Sequence, residues 1–163
     1  MPTIHLTTLI HAPVERVFDL SRCIKMHEKS TTGTNEKAVG GTYSALIQQG
    51  ETVVWQARHL YKTRIHKTTI PVMRPYWFFT DEMKEGDFKS MVHHHHFKPI
   101  DNGTIMIDEF NFESPYGLIG KLANVLFLTK YMKRFLVQRN NIIKEYAETH
   151  KWKTVLPEKE TVR

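Results

Sequence analysis

Four consecutive histidines, residues 93–96, are the feature of the sequence with the clearest chemical potential. The segment around them, FKSMVHHHHFKPI, is bounded by turn-forming residues and is interpreted as a β-strand. In a strand, residues two positions apart share a face, so His93 and His95 point to one side and His94 and His96 to the other. An imidazole changes charge near neutral pH and can transfer a proton or bind a metal ion. The spacing therefore predicts paired imidazoles on each face of one strand.

A metal site is one possible use of such a pair. The His-x-His arrangement would supply two ligands, with His59 or Asp81 as a third. The sequence does not fix the third ligand, and it contains no HExxH motif and no multiple-cysteine spacing. We therefore predict neither a native metal site nor a cofactor. Instead, we interpret His93 and His95 as lining an interior cavity, hydrogen-bonded to neighbours such as Asp81 or Asp108, or as purely structural histidines.

Two aspartates and one arginine occupy positions where the pattern calls for apolar residues. Asp81 shares a strand face with Phe79, and Asp108 shares one with Phe110. Arg139 interrupts the apolar stripe of the last helical segment. An ionised group near an apolar interior is costly unless it is paired. We therefore predict an ion pair between Arg139 and Asp108 or Asp81, which would either anchor a ligand or hold the helix to the sheet.

The segments that must position these groups follow a simple order. Residues 3–11 alternate in the manner of a strand, and VERVFDL and CIKMHEK then predict two short helices, with Pro13 at the start of the first. From Tyr43 to Asp108 no helix is predicted. Successive segments rich in β-branched and aromatic residues, separated by glycines and prolines, indicate an antiparallel meander of long strands.

The last predicted element is one long helix. Ser114 and Pro115 provide its start, as N-cap and first helical residue. Mainly apolar residues recur every three or four positions and define one stripe along the helix: Leu118, Leu122, Val125, Leu128, Met132, Phe135, Arg139, Ile142 and Tyr146. A helix with such a stripe requires a sheet to cover it. We predict a single domain over residues 1–150 and a polar tail over residues 151–163.

Composition narrows the class of protein. With 163 residues, 40% of them hydrophobic and 25% charged, the chain is expected to form one soluble domain. No run approaches the ~20 apolar residues of a membrane helix, so stable membrane insertion is not expected. The start of the chain lacks a secretory signal, and Cys23 is the single cysteine. The absence of an internal disulfide agrees with a reducing compartment, and we predict a cytoplasmic protein.

The net charge of +6 is unevenly placed. Residues 1–114 contain equal numbers of basic and acidic side chains, so the whole excess lies in residues 115–163. Much of it belongs to the helical pattern, whose polar face must be solvated in any case. Since no arginine-rich run or nucleic-acid motif accompanies it, we predict no nucleic-acid partner.

Taken together, these segments resemble the SRPBCC (START-like, helix-grip) superfamily, and within it the small bacterial ligand-binding and cyclase/dehydrase-type members. The resemblance covers about residues 3–147 and rests on six segments: HAPVERVFDL, GETVVWQARHL, FFTDEMKEGDF, HHHHF, GTIMIDEFNFESPYGLIG and FLTKYMKRFLVQRNNIIKEY. It implies an α+β helix-grip fold, with two short helices after the first strand. A curved antiparallel sheet of about six to seven strands would wrap around the long C-terminal helix and leave a pocket between them. In similar sequences the histidine strand reads His-x-His-x-Phe, which matches His93, His95 and Phe97.

The resemblance also implies the kind of ligand, because such pockets take apolar molecules and orient them with few polar groups. We expect the following residues to contact it: Phe18, Trp55, His59, Phe79, Asp81, His93, His95, Asp108, Phe110, Met132, Phe135 and Arg139. The favoured interpretation is a monomeric or homodimeric protein that binds or transports a hydrophobic small molecule, such as a lipid, a polyketide or an aromatic compound, without changing it chemically.

Two other functions stay open. The chain would be an enzyme of the polyketide cyclase or dehydratase type, a lyase or isomerase, if His93, His95 or Asp81 transferred protons to a bound polyketide. It would be an interaction or chaperone-regulatory module if it used its outer sheet or its basic helix.

Overall fold

A computed structural model describes residues 2–114 and 127–158 of the chain. Within these residues there are eight strands: β1 (Thr3–Ile10), β2 (Lys37–Thr42), β3 (Thr52–His59), β4 (Lys62–Thr69), β5 (Met73–Arg74), β6 (Phe78–Glu85), β7 (Ser90–Ile100) and β8 (Gly103–Glu113). The helices are α1 (Val14–Ser21), α2 (Ile24–Ser30) and α3 (Thr129–Glu148), and a short 3-10 helix covers His150–Thr154. No helix of the described ranges combines the length and apolarity needed to cross a bilayer.

The strands form one antiparallel sheet in the order β1-β8-β7-β6-β4-β3-β2, with β5 paired to β6 beside this path. The predicted α+β class, the meander and the two short helices after β1 are confirmed. The sheet has eight strands where about six to seven were expected. One addition is the two-residue strand β5, which Pro71 and Pro75 enclose. Another is β2, which lies in a stretch whose glycines favoured a turn and which carries a bulge between Ala38 and Gly40.

Burial alternates along the two longest strands, as the pattern predicts. Met91, His93 and His95 are buried on β7, while His96 is exposed. On β8 Asp108 and Phe110 are buried. The strand register places these groups together, because His95 lies opposite Asp108 and His93 lies opposite Phe110. The interior face therefore carries polar side chains in the middle of an apolar surface.

Helix α3 covers this interior face and also contacts β1, α1 and α2. Its buried side chains are Met132, Leu136, Arg139, Asn140, Ile143 and Ala147. The predicted stripe is correct at Met132 and Arg139, but Phe135, Ile142 and Tyr146 are only half-buried at its border. The difference is a rotation of the helix that brings Asn140 toward the sheet. The expected helix start at Pro115 and the stripe residues Leu118, Leu122 and Val125 lie outside the described residues.

Two apolar clusters fill the space around the interior. The larger lies between α1, α2, the second half of α3 and the sheet, and Phe18, 1% exposed, is part of it. The smaller cluster lies beside the first half of α3 and includes Ile4, Met91, Phe112 and Leu136.

Residues beyond α3 also contact the larger cluster. Val155 is 5% exposed, and the half-buried Trp152 and Leu156 pack beside it. The chain therefore contributes to the core beyond residue 150, where the polar tail was expected to begin.

Candidate ligand-binding cavity

An internal cavity of about 280 Å³ lies between the inner face of the sheet and the helices. Its volume is close to the lower end of the range for small-molecule pockets, roughly 300–1,000 Å³. Most of its wall is apolar, and the main contributors are Ile47, Trp55, Ile70, Phe79, Met83, Met91, Phe110, Met132, Phe135 and Leu136. The cavity reaches the surface beside the β3–β4 turn, where the exposed side chains Leu60 and Ile65 line it.

Most side chains expected to contact a ligand do line this cavity: Trp55, His59, Phe79, Asp81, His93, His95, Phe110, Met132, Phe135 and Arg139. Phe18 does not, because its ring is enclosed by edge contacts with Phe79, Phe97 and Tyr76. Asp108 does not either. It is 0% exposed and lies behind the two inward histidines.

His93, His95, Asp108 and Asn140 form a compact polar cluster in the wall of the cavity. Nε2 of His93 lies 2.9 Å from Oδ1 of Asp108, in hydrogen-bond geometry. Nδ1 of His95 lies 2.9 Å from the same oxygen, yet the orientation of the ring does not give a hydrogen bond. The other oxygen, Oδ2, accepts a hydrogen bond of 2.7 Å from Nδ2 of Asn140.

Burial and neighbouring charges favour different protonation states for Asp108 and His95. Burial alone would raise the pKa of Asp108, but the two adjacent histidines hold it well below its ordinary value. Burial and the nearby charge of His93 lower the pKa of His95 well below its ordinary value. At neutral pH the cluster thus contains an ionised Asp108 beside a neutral His95.

Arg139 is buried in the cavity wall, only 5% exposed, without the predicted partner. Its guanidinium donates two long hydrogen bonds of 3.3 Å, to Oδ1 of Asn140 and to the carbonyl of Ser21. Within the described ranges no carboxylate oxygen lies within 4.0 Å of it. The predicted ion pair with Asp108 or Asp81 is therefore wrong, because Asn140 occupies the side of α3 that faces Asp108. Burial lowers the pKa of Arg139, and the more distant Asp108, Asp81 and Glu36 oppose that effect.

Asp81 lines the cavity opposite His93 on the neighbouring strand. Its Oδ1 is buried without a hydrogen-bond partner. Burial raises the pKa of this carboxyl, although nearby histidines oppose the effect. A protonated Asp81 would offer a donor to a ligand, and an ionised Asp81 an acceptor.

A second polar cluster centres on Glu36, the residue before β2. The carboxylate of Glu36, 4% exposed, lies 2.5 Å from Nε2 of His27 and 3.3 Å from Nε2 of His59. Nδ1 of His59 lies 2.9 Å from the hydroxyl of Tyr131 on α3. Burial works against ionisation of Glu36, but hydrogen bonds from His27 and His59 lower its pKa far below the ordinary value. All four side chains line the cavity.

Comparisons with known proteins agree on the architecture. The Zhui aromatase/cyclase from Streptomyces superposes with a TM-score of 0.72 at 13% identity, over 90% of this chain and 93% of that one. A START superfamily protein from Mycobacterium smegmatis gives 0.70 at 10% identity, over 90% and 97%. A major latex-like protein from Panax ginseng gives 0.68 at 18% identity, over 91% and 98%.

The chain has the START-like helix-grip fold. The resemblance seen in the sequence is thus confirmed for the architecture. No family model and no curated protein sequence matches the chain.

In this helix-grip fold, the sequence predicts the cavity residues that lie on strands better than those that lie on helices and loops. His27, Glu36 and Tyr131 were missed, because they come from a short helix, a turn-rich segment and a helix flank. They meet only through the fold. The one signal available was a glutamate beside the predicted sheet in a chain rich in histidine.

Proposed function

We propose that the protein binds a hydrophobic small molecule that carries an acidic group, and that Arg139 receives this group. The observation that carries the proposal is a buried guanidinium in the wall of an apolar cavity, with no carboxylate oxygen of residues 2–114 or 127–158 within 4.0 Å of it. A buried charge without a partner is costly, so an anionic ligand would supply what the protein leaves out. The apolar wall would hold the rest of the molecule, which fits a lipid acid, an acidic polyketide or an aromatic acid.

The positions of the other polar groups support this orientation of the ligand. Asp108 is ionised, but it lies behind His93 and His95 and is bonded to Asn140, so it does not repel a ligand directly. Burial raises the pKa of Asp81, so the negative charge of this carboxyl is disfavoured in the cavity wall. Arg139 is therefore the strongest site for an anion among the described side chains of the wall.

The proposal is tested with two dyes that differ in one group. Anilinonaphthalene sulfonate is an aromatic anion, and phenylnaphthylamine is its neutral counterpart. We expect Arg139→Met to weaken binding of the anion by about 10-fold or more, which corresponds to the loss of a charge-assisted hydrogen bond. Binding of the neutral dye should change by less than about threefold. Fluorescence titration in EDTA-containing buffer gives both constants.

Arg134→Met is the matched control, since Arg134 is exposed on the same helix. It should leave both dyes unaffected. Near-ultraviolet circular dichroism verifies that each variant is folded. Equal losses for the two dyes in Arg139→Met, or none for the anion, would refute the anchor.

Catalysis of the polyketide cyclase or dehydratase type is the second candidate function. The hydrogen bond between His93 and Asp108 favours it, because a carboxylate orients an imidazole that could act as a general base toward the cavity. Mass spectrometry of a bound aromatic polyketide after incubation separates the two functions. A carrier returns the ligand unchanged, whereas an enzyme converts it and His93→Asn abolishes the conversion.

A further inference from the structure

We propose that His93, His95 and Asp108 bind a divalent first-row transition-metal ion of the zinc class in the wall of the cavity. The sequence alone offered His59 or Asp81 as a third ligand without fixing either, and no metal site was predicted from it. The structure brings the third ligand from the adjacent strand, where Asp108 lies directly opposite His95. The inference goes beyond the proposed function, because the ion would bind in the absence of any hydrophobic ligand.

The distances fit one ion. One ligand atom from each of His93, His95 and Asp108 lies within 4.8 Å of the other two. Nε2 of His93 and Nδ1 of His95 are both 2.9 Å from Oδ1 of Asp108. Nitrogen and oxygen ligands lie about 2.0–2.2 Å from zinc, so two ligands of one tetrahedral ion are roughly 3.3–3.6 Å apart. To complete the site, each nitrogen would move about 0.4–0.7 Å away from the oxygen, and the two nitrogens would adopt the same separation from each other.

The unpartnered nitrogen of His95 is an independent sign that a ligand is missing. His95 is 2% exposed, and its Nδ1 is buried 2.9 Å from an ionised oxygen without forming a hydrogen bond. A nitrogen lone pair this close to a carboxylate oxygen is repelled, unless a proton or a cation lies between them. A metal ion bound to both atoms would remove that repulsion.

Surrounding contacts hold the ligands in place, as expected around a metal site. Asn140 binds Oδ2 of Asp108 at 2.7 Å, which leaves Oδ1 for the ion. The ring of Phe79 stacks on His95 at 4.3 Å between centroids and limits its rotation. Two carboxyl groups, Asp81 and Asp108, flank the histidine pair, so added positive charge is not isolated.

The site would keep a coordination position open toward the interior. His93 and His95 line the cavity, whereas Asp108 lies behind them. Three protein ligands with a fourth position left for water or substrate is the arrangement of catalytic zinc sites, whereas structural zinc sites are fully coordinated by the protein. A ligand oxygen in the cavity could take that position.

The outward histidines provide a matched control, since they belong to the same run. His96 is exposed, and Nδ1 of His94 lies 3.0 Å from Oγ1 of Thr80. The metal-free protein, prepared with EDTA and dialysed, is titrated with Zn²⁺ by calorimetry and with Co²⁺ by visible absorption. We expect one ion per chain, with the strong d–d bands of four- or five-coordinate Co²⁺. The double variant H94A/H96A should behave in the same way.

His95→Gln and Asp108→Asn should each weaken the binding of Zn²⁺ by at least about 100-fold. Both replacements keep size and polarity, and near-ultraviolet circular dichroism shows whether they fold. As a second measurement, Zn²⁺ at 100 times its Kd should stabilise H94A/H96A by about 2.7 kcal/mol.

Loss of binding in H94A/H96A would assign the ion to the outer pair and overturn the proposal, as would the absence of binding at 100 µM Zn²⁺. The dye titrations contain EDTA and the metal titrations contain no dye, so each proposal can fail without the other.

Discussion

At the scale of single residues, the buried polar side chains differ in whether they have a hydrogen-bond or ion-pair partner. The strand pleat directs His93 and His95 inward and His94 and His96 outward, which the sequence predicts because alternation is a local property of a strand. Partners depend on register and helix rotation, which are not local. The expected hydrogen bond to Asp108 is present at His93. The ion pair expected for Arg139 is absent, because Asn140 faces Asp108.

Asp81 leads to a prediction about stability at this scale. Its raised pKa means that the fold disfavours the ionised carboxyl relative to water, so Asp81→Asn should stabilise the metal-free protein at pH 7. An increase of about 1 kcal/mol is expected from removing an unsatisfied buried charge. Urea denaturation followed by circular dichroism measures it. Glu82→Gln, which changes the next residue, should stay within about 0.5 kcal/mol. A destabilised Asp81→Asn would mean that the carboxylate has a stabilising partner.

At the scale of elements, the strands and helices differ in how far the sequence determines them. The long strands β7 and β8 alternate strictly in burial and were found correctly. Strand β2 was missed, because KAVGGT contains two glycines and lies at an edge where little burial marks it. The stripe of α3 was only partly right, since the side of a helix that faces a sheet depends on tertiary packing and includes the polar Asn140.

The two adjacent glycines of β2 allow a matched test of that strand. Gly41 has a φ of +111°, and an added Cβ would lie 2.3 Å from the carbonyl oxygen of Thr52. Gly41→Ala should therefore destabilise the protein by about 2 kcal/mol or more. A Cβ at Gly40 would make an ordinary contact of 3.7 Å with Val54. Gly40→Ala should stay within about 0.5 kcal/mol, and equal effects of the two changes on urea denaturation would show that β2 is not held in this conformation.

At the scale of the whole molecule, the order of the helices and strands was predictable from the sequence. The set of side chains that line the cavity was only partly predictable. The succession of two short helices, a meander and a long helix already implies a helix packed on a sheet with space between them. The Glu36 cluster could not be foreseen, because α2, the segment before β2, β3 and α3 converge only in three dimensions. The basic residues Lys130, Lys133 and Arg134 are exposed on α3, as a solvated helix face requires.

Buried ionisable groups make the stability of the whole domain depend on pH. The lowered pKa values of His66 and His95 mean that the unfolded chain binds protons more readily below about pH 6.5, so stability should fall as the pH decreases from 7 to 5. Glu36 and Asp108, also with lowered pKa values, extend the loss below about pH 4.5. Asp81 acts in the opposite direction.

Thermal unfolding in EDTA-containing buffer should show this decline in stability as the pH decreases. His66→Gln should make the fall in melting temperature between pH 7 and 5 smaller. A melting temperature that stays constant over that range would contradict the buried, neutral state of these histidines.

The pairing of β1 with β8 has a consequence for folding during synthesis on the ribosome. Thr3 and Asn111, which face each other in this ladder, are 108 residues apart in the chain. At a translation rate of about 5–20 residues per second, the first strand waits roughly 5–20 s for its neighbour to be made. Every other long strand finds a partner much nearer in sequence. Strand β1 therefore stays without its β8 partner long enough for a chaperone to shield it, and the domain closes only once β8 has been made.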